Sequence, residues 1–226
     1  MNKTFALATG AALLFAAGAS AAEFTMDFKS GDDFQFDGDV YDNSGLITGQ
    51  LYVSGLNDGD SVLAVAGTPD DAMTISTGNG FFNATEFGQG FGAPNPALYA
   101  VDSNLQWDTW LTIGGDKAGN PETSVSPGFP TIATFGGGDD IVGETNGAWF
   151  NGNPGNPQIE EDGRVLIGQF TFDITKKVTV EALVQILDAN GEERREALSG
   201  SFAIPAPGAA ALLGLAGLAG TRRRRG

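Results

Sequence analysis

Cysteine and histidine are both absent from this chain of 226 residues. Their absence excludes a disulfide framework, a cysteine nucleophile, a Ser-His-Asp triad and any metal site built on imidazole or thiolate ligands. Basic side chains are also scarce, with 12 Lys and Arg against 28 Asp and Glu. Carboxylate chemistry, oxygen-ligated cations and functions without chemistry are the classes that remain.

The N-terminus has the pattern of a secretory signal peptide over residues 1–21. Lys3 precedes an apolar run of Ala, Leu, Phe and Gly at residues 5–18, and Ala19-Ser20-Ala21 follows. Small side chains at these positions are what signal peptidase accepts. We therefore expect export, with cleavage after Ala21 or, alternatively, after Ala22. An N-terminal core helix is the competing interpretation.

The C-terminus, residues 205–226, contains three parts in order. Pro205-Ala206-Pro207 breaks the chain, and an apolar run of Ala, Leu and Gly covers residues 209–220. As a helix this run would span about 18 Å, which is less than the roughly 30 Å of a bilayer core. Positive residues near such a helix stay on the cytoplasmic side. The basic cluster that closes the chain consists of Arg222, Arg223, Arg224 and Arg225.

This tail resembles the PEP-CTERM sorting signal, which exosortase-type membrane proteases of Gram-negative bacteria recognise. Ala206 stands where the family's motif has Glu. Residues 108–114 and 146–157 are similar to stretches of planctomycete-type PEP-CTERM proteins. The resemblance implies an exported protein of the cell surface or extracellular matrix, with an exosortase-like protease and exopolysaccharide as partners. It also implies transient membrane association through the C-terminal helix; a plain tail anchor is the alternative.

The mature region is strongly acidic. Five of the 12 basic residues and none of the 28 acids lie in the two terminal signals, so residues 22–204 carry a net charge of −21. Such a surface repels nucleic acid and anionic lipid headgroups. We expect no nucleic-acid partner.

Alternation of apolar and polar side chains predicts strands throughout residues 22–204, and no segment there sustains a helical period. Asn190-Gly191 predicts a hairpin turn. We predict an all-β fold, a single antiparallel jelly-roll-like β-sandwich, with a long Gly/Asn/Pro-rich loop region at about 115–164. The predicted strands are residues 24–28, 46–54, 61–66, 72–77, 97–101, 107–113, 131–135, 166–174, 178–186 and 198–204.

Calcium is the cation that oxygen ligands alone would suit. Asp139 and Asp140 follow three glycines, and this run resembles one calcium-binding nonapeptide repeat, although it occurs only once. We predict no cofactor, with a structural Ca²⁺ on these two aspartates as the alternative. The remaining paired aspartates are expected to be solvated turn residues.

Trp149 lies between Gly-rich flanks and is the tryptophan predicted to be exposed, as a ligand contact for a sugar. Trp107 or Trp110 should face the core. Glycoside hydrolysis needs two carboxylates about 5–10 Å apart, and the sequence singles out no such pair. We predict a non-enzymatic protein without catalytic residues. A carbohydrate- or calcium-binding β-sandwich module and a carboxylate-dependent glycoside hydrolase are the alternatives.

Overall fold

A computed structural model describes residues 21–29, 45–84, 90–115, 123–127, 129, 139–153 and 162–204. Within these ranges the chain forms 11 strands and two short 3-10 helices. Each strand of the two sheets pairs antiparallel with its neighbours, and this confirms the predicted all-β class. The predicted signal peptide, the C-terminal helix and the strand at 131–135 lie outside the described residues.

The strands form a four-stranded sheet in the order β1-β2-β9-β5 and a seven-stranded sheet in the order β6-β8-β3-β10-β4-β7, with β11 added on β10. The 3-10 helices cover Pro96–Leu98 and Ser103–Trp107. The strand bounds are β1 Glu23–Lys29, β2 Leu46–Ser54, β3 Ser61–Ala66, β4 Met73–Ser76, β5 Trp110–Leu111, β6 Thr123–Val125, β7 Ile141–Glu144, β8 Ala148–Asn151, β9 Val165–Asp173, β10 Val178–Leu187 and β11 Glu193–Phe202.

The strand β10 organises the larger sheet. It pairs with β11 along its whole length, and its other edge pairs first with β4 and then with β3. Its burial follows a strict period of two, as a strand with one core-facing side requires. The predicted alternation is therefore confirmed. The buried side chains are Val178, Val180, Ala182, Val184 and Ile186.

The predicted hairpin between β10 and β11 is also confirmed. The strands close at the pair Leu187↔Glu193, and the Gly191 amide donates to the Asp188 carbonyl oxygen at 3.0 Å. Gly191 has a φ of +83°. This conformation suits glycine because a Cβ would crowd the backbone. A turn closed by a left-handed glycine matches the right-handed twist of the flanking strands.

One apolar core contains side chains from both sheets. Phe170 and Phe172 of β9 belong to the same cluster of buried residues as Val180 and Val184 of β10. On β11, an ideal Cβ at Gly200 would lie 3.3 Å from the Cβ of Phe24 on β1, so the sheets approach closely at this edge. Burying each large apolar side chain contributes roughly 1.5–3 kcal/mol.

The strand β9 differs from its predicted half-buried character because both of its faces are covered. Its polar residues Gln169 and Thr171 are as inaccessible as its phenylalanines. Residues 103–108 lie over part of the outer face. There the Gln169 side chain donates to the carbonyl oxygens of Gln106 and Asp108, each at 3.0 Å. Alternation of apolar and polar residues indicates that one face of a strand is buried. It does not show whether another segment covers the opposite face.

The prediction of a strand at 97–101 is wrong. The chain instead forms the 3-10 helix Pro96–Leu98, and the Asn95 side chain accepts a hydrogen bond from the Ala97 amide at 3.0 Å. Proline favours this start because its φ is already helical and its missing N–H is not needed there.

Of the strand predicted at 107–113, only the two residues of β5 form a strand in the structure. The preceding residues form the 3-10 helix Ser103–Trp107, which Asp102 caps by accepting from the Asn104 amide at 3.0 Å. Local capping therefore outweighs the apolar pattern in this segment.

The loop predicted at 115–164 contains three short strands, β6, β7 and β8, among its described residues. Each has only three or four residues, which is too few for a periodic pattern. They are extended because they hydrogen-bond to partners elsewhere, β8 to β3 and β7 to β4. Across the described residues there is no helix with the length and apolar character that crossing a bilayer requires.

Candidate functional site

Trp149 is fully buried, so the prediction that it is exposed is wrong. It lies on β8 opposite Val65 of β3, and this register directs the indole into the core. The indole N–H donates to the Thr112 carbonyl oxygen at 2.9 Å, and the ring packs at 6.0 Å between centroids against Phe129. Trp107 and Trp110 are buried as well. A sugar therefore finds no open tryptophan face among the described residues.

Asp140 is occupied by the protein's own backbone. Its Oδ1 accepts from the Thr77 amide at 2.9 Å and its Oδ2 from the Gly78 amide at 3.0 Å. The carboxylate thus caps the turn that follows β4. Asp139 is exposed beside it. No group of three acidic side chains is arranged for a metal anywhere in the described part of the chain.

The predicted sorting residues lie outside the described residues. They are Pro205, Ala206, Pro207, Arg222, Arg223, Arg224 and Arg225.

Other aspartates also stabilise turns. The Glu192 amide, followed by that of Asn190, holds the pKa of Asp188 below its usual value. The Thr175 hydroxyl and amide do the same for Asp173. These carboxylates accept hydrogen bonds in their charged form, which favours ionisation.

Asp60 is the most buried of these carboxylates, with 2% of its side chain exposed. Burial opposes its ionisation, but the Arg194 guanidinium at 2.8 Å and the backbone and side-chain N–H groups of Asn57 outweigh burial and lower its pKa. Asp60 precedes β3 and Arg194 lies on β11, so the ion pair joins two segments distant in sequence. The ion pair stabilises the larger sheet, because it links the start of β3 to β11.

The outer face of the four-stranded sheet carries the one described arrangement that combines a cation, an aromatic ring and two carboxylates. We call Asp27, Tyr52, Asp162 and Arg164 the Arg164 cluster. The register Asp27↔Gln50 places Asp27 on the same face as Tyr52, and Arg164 directly precedes β9. Its guanidinium carbon lies 4.0 Å from the centre of the Tyr52 ring. Its Nη1 lies 2.6 Å from Asp27, and its Nε contacts Asp162.

The electrostatics of the Arg164 cluster favour a structural role over a reactive centre. Burial opposes the charge of Arg164, but the hydrogen bond and charge of Asp27 and then the charge of Asp162 outweigh it, so the pKa of the guanidinium is raised. A permanent cation between two carboxylates transfers no proton. It also covers the face of Tyr52 on which a sugar ring would stack. The cluster joins β1, β2 and the start of β9.

A buried polar layer continues from this cluster beneath the covering segment. The Tyr52 hydroxyl donates to Gln50 at 3.0 Å, and the Gln169 amide group donates to the carbonyl oxygens of Gln106 and Asp108, each at 3.0 Å. Sequence reasoning missed this layer. Gln50 and Gln169 occupy polar positions of two predicted strands, but only the strand register brings them together.

The fold thus defines an all-β protein in which Asp140, Asp173 and Asp188 hold turns and Asp60 pairs with Arg194. No family model, curated protein or solved structure matches the chain. Its function has to be inferred from its own residues.

Proposed function

We propose that the chain is an exported, non-enzymatic β-sandwich protein of the bacterial cell surface or extracellular matrix, sorted through its C-terminal tail. The observation that carries the proposal is the extent of the strands. The first strand begins at Glu23, two residues after Ala21 at the predicted cleavage point, and the last ends at Phe202, three residues before Pro205. The two predicted signals therefore flank the described sheets and share no residue with them.

The roles of the acids support a structural function. Asp140 and Asp188 use their oxygens to hold backbone amides, and Asp60 pairs with Arg194. A catalytic acid or base needs a pKa close to the working pH, whereas the shifts of Asp60 and Asp188 are downward. The lowered pKa values of Asp60 and Asp188 favour ionised hydrogen-bond acceptors over groups that exchange protons.

The sandwich architecture is supported by the shared core and by the approach of β1 to β11. Because the chain lacks cysteine, a disulfide between Phe24→Cys and Gly200→Cys would test this approach directly. Disulfides need Cβ atoms about 3.5–4.5 Å apart, close to the 3.3 Å given by the geometry. The pair should oxidise within one molecule once the Phe202 ring shifts. Phe24→Cys with Ser199→Cys is the matched control, because Ser199 is exposed on the other face of β11.

Mass spectrometry of the exported protein tests the sorting proposal. We expect an N-terminus at Ala22 or Glu23 and loss of the chain after about Pro207. A variant with all four C-terminal arginines changed to glutamine should keep its tail and stay associated with cells, since the positive cluster sets orientation. Exported wild-type protein that retains the arginines would contradict sorting and favour a tail anchor.

A further inference from the structure

Four Asn-Gly pairs occur in the chain, and all lie in described residues. They share a chemistry that requires only water. The glycine amide nitrogen, after losing its proton, attacks the asparagine Cγ; an N–Cγ bond forms, the Cγ–Nδ2 bond breaks and ammonia leaves. Water then opens the succinimide at either carbonyl, giving aspartate or isoaspartate. The pairs are Asn79-Gly80, Asn146-Gly147, Asn151-Gly152 and Asn190-Gly191.

The reaction needs a glycine nitrogen that is accessible and an asparagine side chain that can turn toward it. Glycine helps because it has no Cβ to obstruct the approach. A hydrogen bond from the same N–H holds its proton and fixes its direction. Because such a bond must break before the nitrogen reacts, it lowers the reactive population by roughly fivefold to tenfold. The fold therefore sets a different rate for each of four chemically identical pairs.

Asn79-Gly80 meets both conditions. Asn79 is exposed in the turn after β4, between Gly78 at φ +76° and Gly80 at φ +77°. The hydrogen bonds in this turn come from the amides of Thr77, Gly78 and Asn79. Among the described residues, none accepts a hydrogen bond from the Gly80 amide or forms one with the Asn79 carboxamide. Thr77 donates to the Gly80 carbonyl oxygen at 2.8 Å, and Gly80 itself is partly exposed.

Asn190-Gly191 is equally exposed, but Asp188 restrains it. The Gly191 amide, which would be the nucleophile, donates to the Asp188 carbonyl oxygen at 3.0 Å. The Asn190 amide donates to Asp188 Oδ1 at 2.8 Å, and the Glu192 amide donates to the same oxygen at 2.8 Å. The turn must open before the nitrogen can react.

In each of the other two pairs one residue is buried, although its neighbour, Asn146 or Gly152, is exposed. Asn151 is 5% exposed, and its Oδ1 accepts from the Asn153 amide at 2.8 Å. Gly147 is buried, with the Phe129 ring and the Glu144 side chain filling the space where a Cβ would lie. Local opening must therefore release the Asn151 side chain in one pair and expose the buried Gly147 in the other.

We propose that Asn79-Gly80 is a self-modification site of the folded protein, converting to aspartate and isoaspartate with water as the co-reactant, while the fold protects the other three pairs. The product places a new carboxylate in the turn that Asp140 caps. Isoaspartate also adds a methylene to the backbone there, so the turn loosens as the protein ages.

Peptide mapping by mass spectrometry measures the reaction at all four pairs in one sample. The full chain is incubated in mildly alkaline buffer, folded in one arm and in concentrated urea in the other. In urea the four rates should agree within a few-fold, because the local sequence is the same. In the folded arm Asn79 should keep its urea rate, Asn190 should slow by roughly tenfold, and Asn151 should be slowest.

A matched variant separates local from global effects. Asp188→Ala removes the side-chain acceptor of the Asn190 and Glu192 amides and of the Asn190 carboxamide. Deamidation at Asn190 should accelerate because the turn loosens, although the backbone bond of Gly191 remains, and Asn79 should be unchanged. A slow reaction at Asn151 then reports that the sheets remain intact. Asn79→Gln should abolish the fast product, because the longer side chain closes its ring much more slowly. The proposal would be overturned if Asn79 reacted more slowly in the folded chain than in urea. It would also be overturned if Asn146, Asn151 or Asn190 reacted as fast as Asn79 in the folded chain.

Discussion

Replacing Trp149 with phenylalanine distinguishes a core tryptophan from a ligand contact. The change keeps an aromatic ring on β8 but removes the indole N–H, which donates to the Thr112 carbonyl oxygen at 2.9 Å. It also leaves a void beside Phe129, because phenylalanine is the smaller residue. Both effects act on side chains that solvent does not reach, since Trp149 and Thr112 are 0% exposed.

The expected loss of stability follows from these two effects. The removed volume of about 40 Å³ costs roughly 1 kcal/mol at about 24 cal/mol per Å³ of cavity. Depriving a buried carbonyl of its donor costs about 1–3 kcal/mol. The free energy of unfolding should therefore fall by about 2–4 kcal/mol.

Urea denaturation followed by far-ultraviolet circular dichroism measures this loss without relying on tryptophan emission. Trp110→Phe is the matched control: Trp110 is 2% exposed, and its indole donates to no residue in the described part of the chain. The control should lose only the cavity contribution. The difference between the variants then isolates the hydrogen bond, at about 1–3 kcal/mol.

Equal stability losses in the two variants would refute the hydrogen-bond reasoning. A Trp149→Phe protein as stable as the wild type would refute the burial itself. If such a protein had also lost binding to a glycan array, the sequence-based prediction of a ligand contact would be restored.

Three further changes test the hairpin, the buried ion pair and the acidic loop. Gly191→Val should cost about 1 kcal/mol or more in thermal unfolding and Gly191→Asn less, because open space surrounds the Cβ position and only the positive φ resists substitution. The pKa of Asp60 is lower in the folded protein, where it pairs with Arg194, than in the unfolded chain. The ion pair therefore stabilises the fold at pH values above the unfolded pKa, and this stabilisation is lost as the pH falls through the folded pKa. Urea denaturation across acidic pH should therefore show a flatter decline for Asp60→Asn. Sodium chloride should raise the melting temperature by screening the acidic surface. Calcium chloride at equal ionic strength should add little, because both Asp140 oxygens already accept hydrogen bonds from backbone amides. A large calcium-specific shift that Asp139→Asn with Asp140→Asn abolishes would contradict this.

The sequence alone determined the class of fold and the bounds of several strands, although β11 begins five residues before the predicted strand at 198–204. The predicted bounds of β2 and β3 agree with the structure, and the hairpin at Asn190-Gly191 closes β10 on β11. These features are encoded within a few neighbouring residues. Alternation specifies which side chains face the core, and a left-handed glycine specifies where two strands turn.

Only the tertiary structure decided the burial of Trp149, the second cover over β9 and the three short strands within the predicted loop. Trp149 lies among glycines and asparagines, which indicate exposure, yet its pairing with Val65 directs it inward. The polar side chains of Gln169 and Thr171 indicate a solvent-exposed face, yet both are buried, and Gln169 donates to the carbonyl oxygens of Gln106 and Asp108. Each outcome depends on a partner many residues away, and local sequence patterns contain no information about which distant segment will supply it.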